Sequence, residues 1–167
     1  MRPTLKNILE KLIMMGSHFF PFIEISSVYS SKVFLNTGST TLTYIHINYL
    51  SKLNELYSSN SMLFFALMVG IFTVCSRGTV PTSKYVRYNI IQAILLNIAC
   101  ACIDAIYPLV PLIIRESSIG ILFANTLFIG IVIVILYSWI LIIFGRYATI
   151  PVISEAARMQ VQRGYRD

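Results

Sequence analysis

Residues 117–145 contain no Asp, Glu, Lys or Arg, and this run limits the possible folds more than any other feature of the sequence. A transmembrane helix needs roughly 20 predominantly apolar residues to cross about 30 Å of hydrocarbon. The run is longer than a vertical crossing requires, so we predict a tilted span over about 119–144. With 56% hydrophobic and 12% charged residues, a chain of 167 residues could not bury its apolar surface as a soluble domain. We therefore predict an all-α membrane protein.

Two further windows have the length and composition of spans. The first covers about 57–76 and ends before Arg77. The second covers about 87–107, contains Asp104, and should end or kink at Pro108, because proline lacks the backbone donor that a helix interior needs. A weaker fourth candidate covers about 12–31 and contains His18, Pro21 and Glu24.

The distribution of Lys and Arg favours four spans over three. Loops on the cytoplasm-like side of a membrane are enriched in these residues. Four spans place ten on one side, whereas three spans divide them seven to six. The ten are Arg2, Lys6, Lys11, Arg77, Lys84, Arg87, Arg146, Arg158, Arg163 and Arg166. We predict one polytopic domain over residues 1–167 with both termini on the positive side, and topology anchors at Arg77, Lys84, Arg87 and Arg146.

Two segments outside the spans have helical periodicity. Residues 45–57 place apolar side chains on one face and polar ones opposite, which predicts a short interfacial helix between the first two spans. Residues 154–163 predict an amphipathic C-terminal helix with Ser154 as its cap.

No arrangement typical of catalysis, metal binding or nucleic-acid binding occurs in the sequence. The net charge of +6 comes from residues scattered between apolar runs, not from a basic face. The three cysteines lie in apolar stretches without CxxC spacing, and neither a zinc-protease motif nor a phosphate loop is present. We predict no enzyme activity, no catalytic residues, no metal, no cofactor and no nucleic-acid partner.

One face of the third predicted span is small and polar. Steps of three or four residues place these side chains in one stripe; they are Asn89, Ala93, Asn97, Cys100, Ala101 and Asp104. The amides would be costly against lipid, so the stripe should face other helices or a hydrated path, and the spacing leaves both alternatives open. Gln92 lies off this stripe and should bond a neighbouring helix.

Glu24 and Asp104 are both predicted in the half of the bilayer away from the positive side. Ionisable groups at such depth are candidates for function, with a hydrogen bond to another helix as the alternative. Near the start of the last span, Gly120 and Ala124 have the small-xxx-small spacing that allows close helix packing.

Three stretches resemble one known family. YVRYNIIQAILLNI, residues 85–98, is similar to the aromatic-Val-Arg-aromatic-Asn-x-x-Gln-Ala-Ile signature of the twenty-kilodalton subunit (the Tic twenty family) of the translocon at the inner chloroplast envelope membrane. GRYATIPVISEAARMQV, residues 145–161, resembles that family's closing pattern, and FFPFIE at 19–24 resembles its proline followed by an acid. This chain has Asn97 where the family often has an acid.

The resemblance implies a four-helix inner-envelope protein of the plastid with both termini in the stroma. It also implies a role in protein import, contributing to or forming the path for precursor proteins. The expected partners are other inner-envelope translocon subunits, precursors with basic transit peptides, and membrane lipids. On this interpretation Glu24, Asn89, Asn97 and Asp104 line the substrate path. Two further features suggest a plastid-encoded member. The sequence is rich in Ile and Tyr, and its N-terminus is unlike a transit peptide.

Two alternative functions compete with this one. A structural scaffold subunit would use the polar stripe only to bind another membrane protein. A small-molecule or ion transporter would use the intramembrane acids, but the sequence contains no inverted repeat typical of common transporters.

Overall fold

A computed structural model describes residues 3–35, 39–77 and 83–163, and every regular element within these ranges is helical. The helices are α1 (Pro3–Ser17), α2 (Phe19–Leu35), α3 (Thr40–Ile45), α4 (Ser51–Ser59), α5 (Ser61–Arg77), α6 (Lys84–Ile106), α7 (Leu112–Arg115), α8 (Ser118–Ile143) and α9 (Ile153–Arg163). A π-helical turn, His46–Leu50, joins α3 to α4, and a 3-10 turn, Tyr107–Leu109, extends α6. The predicted all-α fold is confirmed for this part of the chain. Arg2 and Arg166, which the charge count used, lie outside the described residues.

Within the described residues, two helical segments are long and apolar enough to cross a membrane. They are Lys84–Leu109 and Ser118–Ile143, and the predicted spans 87–107 and 119–144 fall within them. A third crossing results if the bent pair Thr43–Ser59 and Ser61–Arg77 counts as one span. The two members of this pair meet at 79°, which is the geometry expected where a helix on the membrane surface turns into a span. The predicted span 57–76 thus corresponds mainly to α5.

The predicted span 12–31 is divided between α1 and α2, and neither helix is among those that are long and apolar enough to cross a membrane, so the structure leaves the predicted fourth span unconfirmed. The break has a local cause. The Ser17 hydroxyl donates to the Met14 carbonyl at 2.7 Å, and His18 Nδ1 contacts the same oxygen at 2.9 Å. These side chains therefore occupy the carbonyl that the backbone N–H of His18 would bond in a continuous helix. Pro21 then lies in the first turn of α2, where its missing N–H costs least.

The ends of the long helices follow from their sequences. The side chains of Ser83 and Ser117 accept the N–H groups of Val86 and Gly120, both at 3.3 Å, and so cap α6 and α8. As predicted, the α-helical part of α6 ends before Pro108.

Gly145 ends α8 with a positive φ of 70°. Its N–H donates to Ile142, and that of Arg146 donates to Leu141 at 2.8 Å. This pair of bonds is a Schellman motif, in which glycine takes the left-handed conformation at no steric cost.

The helix α6 is the centre of the packing. Of its membrane-length window 56% is buried, against 22% for α8, whose outer face exposes Ile119, Leu122 and Ile133. One buried cluster, around Met14, Ile91 and Ile142, joins α6 to α1, α5, α8 and α9. A second cluster joins α2, α8 and the end of α6, with members Ile25, Tyr29, Tyr107, Ala124 and Phe128. The central position of α6 explains how so many polar side chains are accommodated on it, since they face protein and not lipid.

Candidate functional site: a groove between three helices

A groove of about 450 Å³ lies between α2, α5 and α6, next to the bend between α4 and α5. Its walls are mainly apolar, and Glu24 is the only charged residue that lines it among the residues the structure describes. The lining residues are Phe20, Glu24, Tyr57, Ser61, Met62, Phe64, Phe65, Met68, Asn97, Ile98, Ala101, Cys102 and Ala105. Met62 is 82% exposed, so the groove opens toward the outside of the chain. We call this feature the Glu24 groove.

The carboxylate of Glu24 is held by a residue from another helix. The Tyr57 hydroxyl, near the end of α4, donates a hydrogen bond to Glu24 Oε2. Nearby, Asn54 Nδ2 donates to the Ser26 carbonyl and to Ser30 Oγ, both at 3.1 Å. These bonds tie α4 to α2 along one side. The predicted interfacial helix therefore positions the acid of the groove, a role for Tyr57 that sequence reasoning missed.

Asn97 lies in the opposite wall. Its Nδ2 contacts Met68 Sδ on α5 at 3.1 Å, and its side chain is only 5% exposed. Ala101 lies one turn further along α6 and also lines the groove. The sequence left open whether the stripe faces other helices or a path. Asn97 contacts a neighbouring helix and also borders a cavity.

Asp104 is buried beside the groove but does not line it. It is 9% exposed, and neither carboxylate oxygen has a hydrogen-bond partner among the described residues. The Tyr29 hydroxyl, also without a partner in this part of the chain, is a near neighbour on α2.

Asn89 lies outside the groove as well. Its side chain is fully buried, and its Nδ2 donates to the Tyr85 carbonyl of the same helix at 2.9 Å. Of the four residues predicted to line a path, Glu24 and Asn97 line the groove, whereas Asn89 and Asp104 are not part of its lining.

Arg87 is 3% exposed and binds the end of a neighbouring helix. Its Nε donates to the Cys75 carbonyl at 2.7 Å, and an Nη donates to the Ser76 carbonyl at 3.0 Å. These carbonyls belong to the last turn of α5, which lacks intrahelical donors and carries the negative end of the helix dipole. Arg87 thus joins α6 to α5 as a C-terminal cap. The other predicted anchors, Arg77, Lys84 and Arg146, are exposed.

Gln92 contacts the C-terminal segment. Its Nε2 donates to Ser154 Oγ at 3.2 Å and lies 3.4 Å from the Ala148 carbonyl, which also accepts the Tyr88 hydroxyl at 2.7 Å. The predicted capping role of Ser154 is wrong, because α9 begins at Ile153 and Ser154 lies inside its first turn. The Ser154 hydroxyl oxygen accepts the Ile150 N–H at 2.6 Å. Two stretches that carried the family resemblance, 85–98 and 145–161, are therefore bonded to each other.

The small residues of α6 and α8 lie at close contacts. Ala93 and Cys100 are fully buried on α6, and Ala124 is fully buried on α8. A Cβ on Gly120 would lie 2.2 Å from the Ile114 carbonyl oxygen, so only glycine fits there. No group of three or more His, Cys, Asp or Glu that could hold a metal ion occurs within 3–35, 39–77 and 83–163.

Comparison with known proteins gives a consistent result. The family model described as "Chloroplast import apparatus Tic20-like" matches residues 7–157. A Tic20 family protein Ycf60 of Gracilaria tenuistipitata var. liui is 35% identical over 60% of this chain and 49% of its own length. Its counterpart in Cyanidium caldarium is 32% identical over 72% of this chain and 55% of its own length. The chain spans about half the length of the curated relatives that it matches. Because the family model covers most of the sequence, including the groove and the Arg87 and Gln92 contacts, the chain belongs to the Tic20-like family.

Proposed function

We propose that the chain is a non-enzymatic subunit of the protein import machinery of the plastid inner envelope, and that the Glu24 groove contributes to the path of precursor proteins. Membership of a family described as a chloroplast import apparatus supports the role in import. The observation that carries the assignment of the groove is the single carboxylate of Glu24 in a mainly apolar wall. A sequence rich in Ile and Tyr supports a plastid-encoded member.

The proposed topology has four crossings in one domain, with both termini in the stroma. The crossings are α1 with α2, then α5, α6 and α8. Basic residues support this arrangement because Lys11, in the middle of α1, donates to the Ile143 carbonyl at the end of α8. The exposed Lys84 at the start of α6 belongs to the same end of the bundle, since the neighbouring Tyr85 hydroxyl donates to the Arg146 carbonyl at 3.1 Å.

The chemistry of the groove suits an apolar polypeptide segment that carries basic side chains. Its apolar walls can cover hydrophobic side chains without a loss of hydrogen bonds. A Lys or Arg of the segment would find in Glu24 a carboxylate whose attraction is stronger than in water, because most of the side chains that line the groove are apolar. Precursors with basic transit peptides are the expected substrates.

The groove is open on one side, so the proposed path lies between this chain and a neighbouring subunit. Four helices form too narrow a bundle to enclose a polypeptide. The groove is exposed at Met62, so a neighbouring subunit could close it from that side. Other subunits of the inner-envelope translocon are the expected neighbours, and lipid covers the remaining apolar surface.

Site-specific photocrosslinking tests this proposal. A photoactivatable amino acid is placed at Met62 or Phe65 in the groove, and the matched control is placed at Ile119 on the outer face of α8. Met62 and Ile119 are similarly exposed, at 82% and 76%. An import precursor arrested during transit should form adducts from the groove positions and not from position 119.

The result that contradicts the proposal is a set of groove adducts with other membrane subunits only, while the precursor is crosslinked elsewhere in the same complex. That result would favour the scaffold function instead. The buried contact of Asn97 with Met68 is the observation consistent with a scaffold, because it gives the polar stripe a role in packing alone.

A further inference from the structure

A second cavity lies at the other end of α6, away from the Glu24 groove. It has a volume of about 340 Å³, within the range of roughly 300–1,000 Å³ that small-ligand pockets take. It is lined by Lys84, Tyr88, Tyr147, Arg158, Val161 and Gln162. Two side chains are cations, one is an amide and none is acidic among the described residues that line it.

The geometry points to a binding site for the phosphate or sulfonate headgroup of an anionic membrane lipid, and we propose this role for the pocket between α6 and α9. Lys84 and Arg158 lie on different helices and are both exposed at the mouth. An anion between them would be neutralised from two sides, and Gln162 can add an amide donor. Lys84 is also the first residue of α6, so the positive end of a 23-residue helix dipole lies beside the pocket.

The surrounding aromatic residues place the pocket at headgroup depth. Tyr147 is 49% exposed and packs edge-on against Tyr85 and Tyr88, with ring centroids 5.0 and 5.1 Å away. Tyrosines are enriched where the hydrocarbon meets the headgroups, because one end of the ring system is apolar and the other is wet. The same end of the molecule carries the exposed Arg77 and Arg146. A cationic pocket between helices at this level is typical of sites that hold lipid headgroups.

Val161 and Tyr88 form the buried part of the lining. They are 8% and 2% exposed, so the floor of the pocket is apolar while its mouth is charged. This polarity fits an amphiphile, whose headgroup takes the mouth and whose glycerol and first methylenes contact the floor. Free phosphate would bind the two cations but would not contact the apolar floor. An experiment can therefore distinguish a lipid headgroup from free phosphate as the bound anion.

The test measures lipid retention by the full chain, purified in detergent after equilibration with vesicles containing equal amounts of phosphatidylglycerol and a neutral galactolipid. Native mass spectrometry counts the bound lipids. We expect the wild-type protein to retain phosphatidylglycerol preferentially, Arg158→Gln to reduce this preference about fivefold, and Lys84→Gln with Arg158→Gln to abolish most of it, since the loss of one direct ion pair with the headgroup corresponds to about that factor. The matched control, Arg77→Gln with Arg146→Gln, removes the same charge at the same end of the bundle and should retain the wild-type preference.

Two results would overturn the proposal. One is an equal loss of phosphatidylglycerol in the control and in the pocket variant, which would indicate attraction by net charge alone. The other is displacement of the lipid by millimolar inorganic phosphate with an equal rise in thermal stability, which would assign the pocket to a soluble anion. Gln162→Leu, at an exposed position, keeps both cations and should weaken retention by a smaller factor; it supplies a second measurement if Lys84→Gln lowers the yield of folded protein.

Discussion

The amide nitrogen of Gln92 lies 3.2 Å from the hydroxyl oxygen of Ser154, and this bond connects the middle of α6 to the first turn of α9. Both side chains are buried, at 0% and 8% exposure. The Ser154 hydroxyl also accepts the Ile150 N–H and lies 3.3 Å from the Ala148 carbonyl. Residues 148–154 are therefore attached to the bundle through one small network.

Replacing Gln92 with Leu should loosen the C-terminal segment. The change removes the amide donor while Ser154 keeps its bond to Ile150, so we expect a loss of about 1–2 kcal/mol in the free energy of unfolding. The measurements are thermal unfolding in detergent and the rate of trypsin cleavage after Arg158. The control is Gln160→Leu, which removes a half-buried amide of α9 that lies outside the network. Equal cleavage rates for the two variants would contradict this prediction.

Arg87 should contribute more to stability than an exposed arginine of the same end. Arg87→Leu leaves the Cys75 and Ser76 carbonyls without their charged donor, which we expect to cost about 1.5–3 kcal/mol. Arg87→Lys should recover part of this, because an ammonium cannot reproduce the geometry of the guanidinium fork. Arg77→Gln, at an exposed position, should change stability by less than about 0.5 kcal/mol.

Maleimide labelling of Cys75 provides an independent measurement for Arg87. The thiol is buried, and it should become reactive in Arg87→Leu if the end of α5 separates from α6. Cys100 and Cys102 are replaced by Ser in all variants, so that Cys75 is the only thiol that maleimide can label. Unchanged labelling together with unchanged unfolding would show that the arginine cap does not hold α5.

Two glycines of α8 should respond to alanine with opposite signs. At Gly120 a Cβ would lie 2.2 Å from the Ile114 oxygen and 2.6 Å from the Arg115 oxygen, so Gly120→Ala must separate α8 from α7 at a cost of about 1–3 kcal/mol. At Gly130 no atom lies within 4 Å, so Gly130→Ala should be neutral or stabilise the protein by up to about 1 kcal/mol through its helix propensity. Thermal unfolding of both variants in the same detergent gives the comparison, and a shift of the same sign would contradict it.

The charge of Glu24 should matter for precursor contact more than for folding. Glu24→Gln keeps an oxygen that accepts the Tyr57 hydroxyl but removes the negative charge, so stability should change by less than about 1 kcal/mol. Precursor adducts from position 62 should fall about fivefold, the factor that corresponds to a lost ion pair of about 1 kcal/mol.

Tyr57→Phe is the matched variant for Glu24. It keeps the ring that packs 5.1 Å from Phe64 and leaves the Glu24 charge in place, so most of the precursor adducts should persist. If Glu24→Gln and Tyr57→Phe reduce the adducts equally, the position of α4 and not the charge of the groove controls contact with the precursor.

Local features of the sequence were enough to predict most of the helices. The charge-free runs correspond to α8 and most of α6, the proline at 108 ends the α-helical part of α6, and the amphipathic 45–57 segment precedes a sharp bend into α5. These outcomes depend on side chains within one or two turns of each other, for which composition and spacing suffice. The spacing of apolar residues did not predict the break at His18. The break depends on which side chains hydrogen-bond the Met14 carbonyl, and such spacing carries no information about these bonds.

The polar stripe of α6 shows both what the sequence by itself determined and what only the tertiary structure decided. Helical spacing alone put Asn89 and Asn97 on one buried face of α6, because polar groups cannot face lipid unpaired. Their different surroundings follow from the partners that pack along α6: α9 and the 148–154 segment contact its first half, whereas α2 and α5 lie beside Asn97. The Arg87 cap, the Gln92 network and the Glu24 groove likewise join residues distant in sequence. Such pairs form only when the helices come together, so no local pattern encodes them.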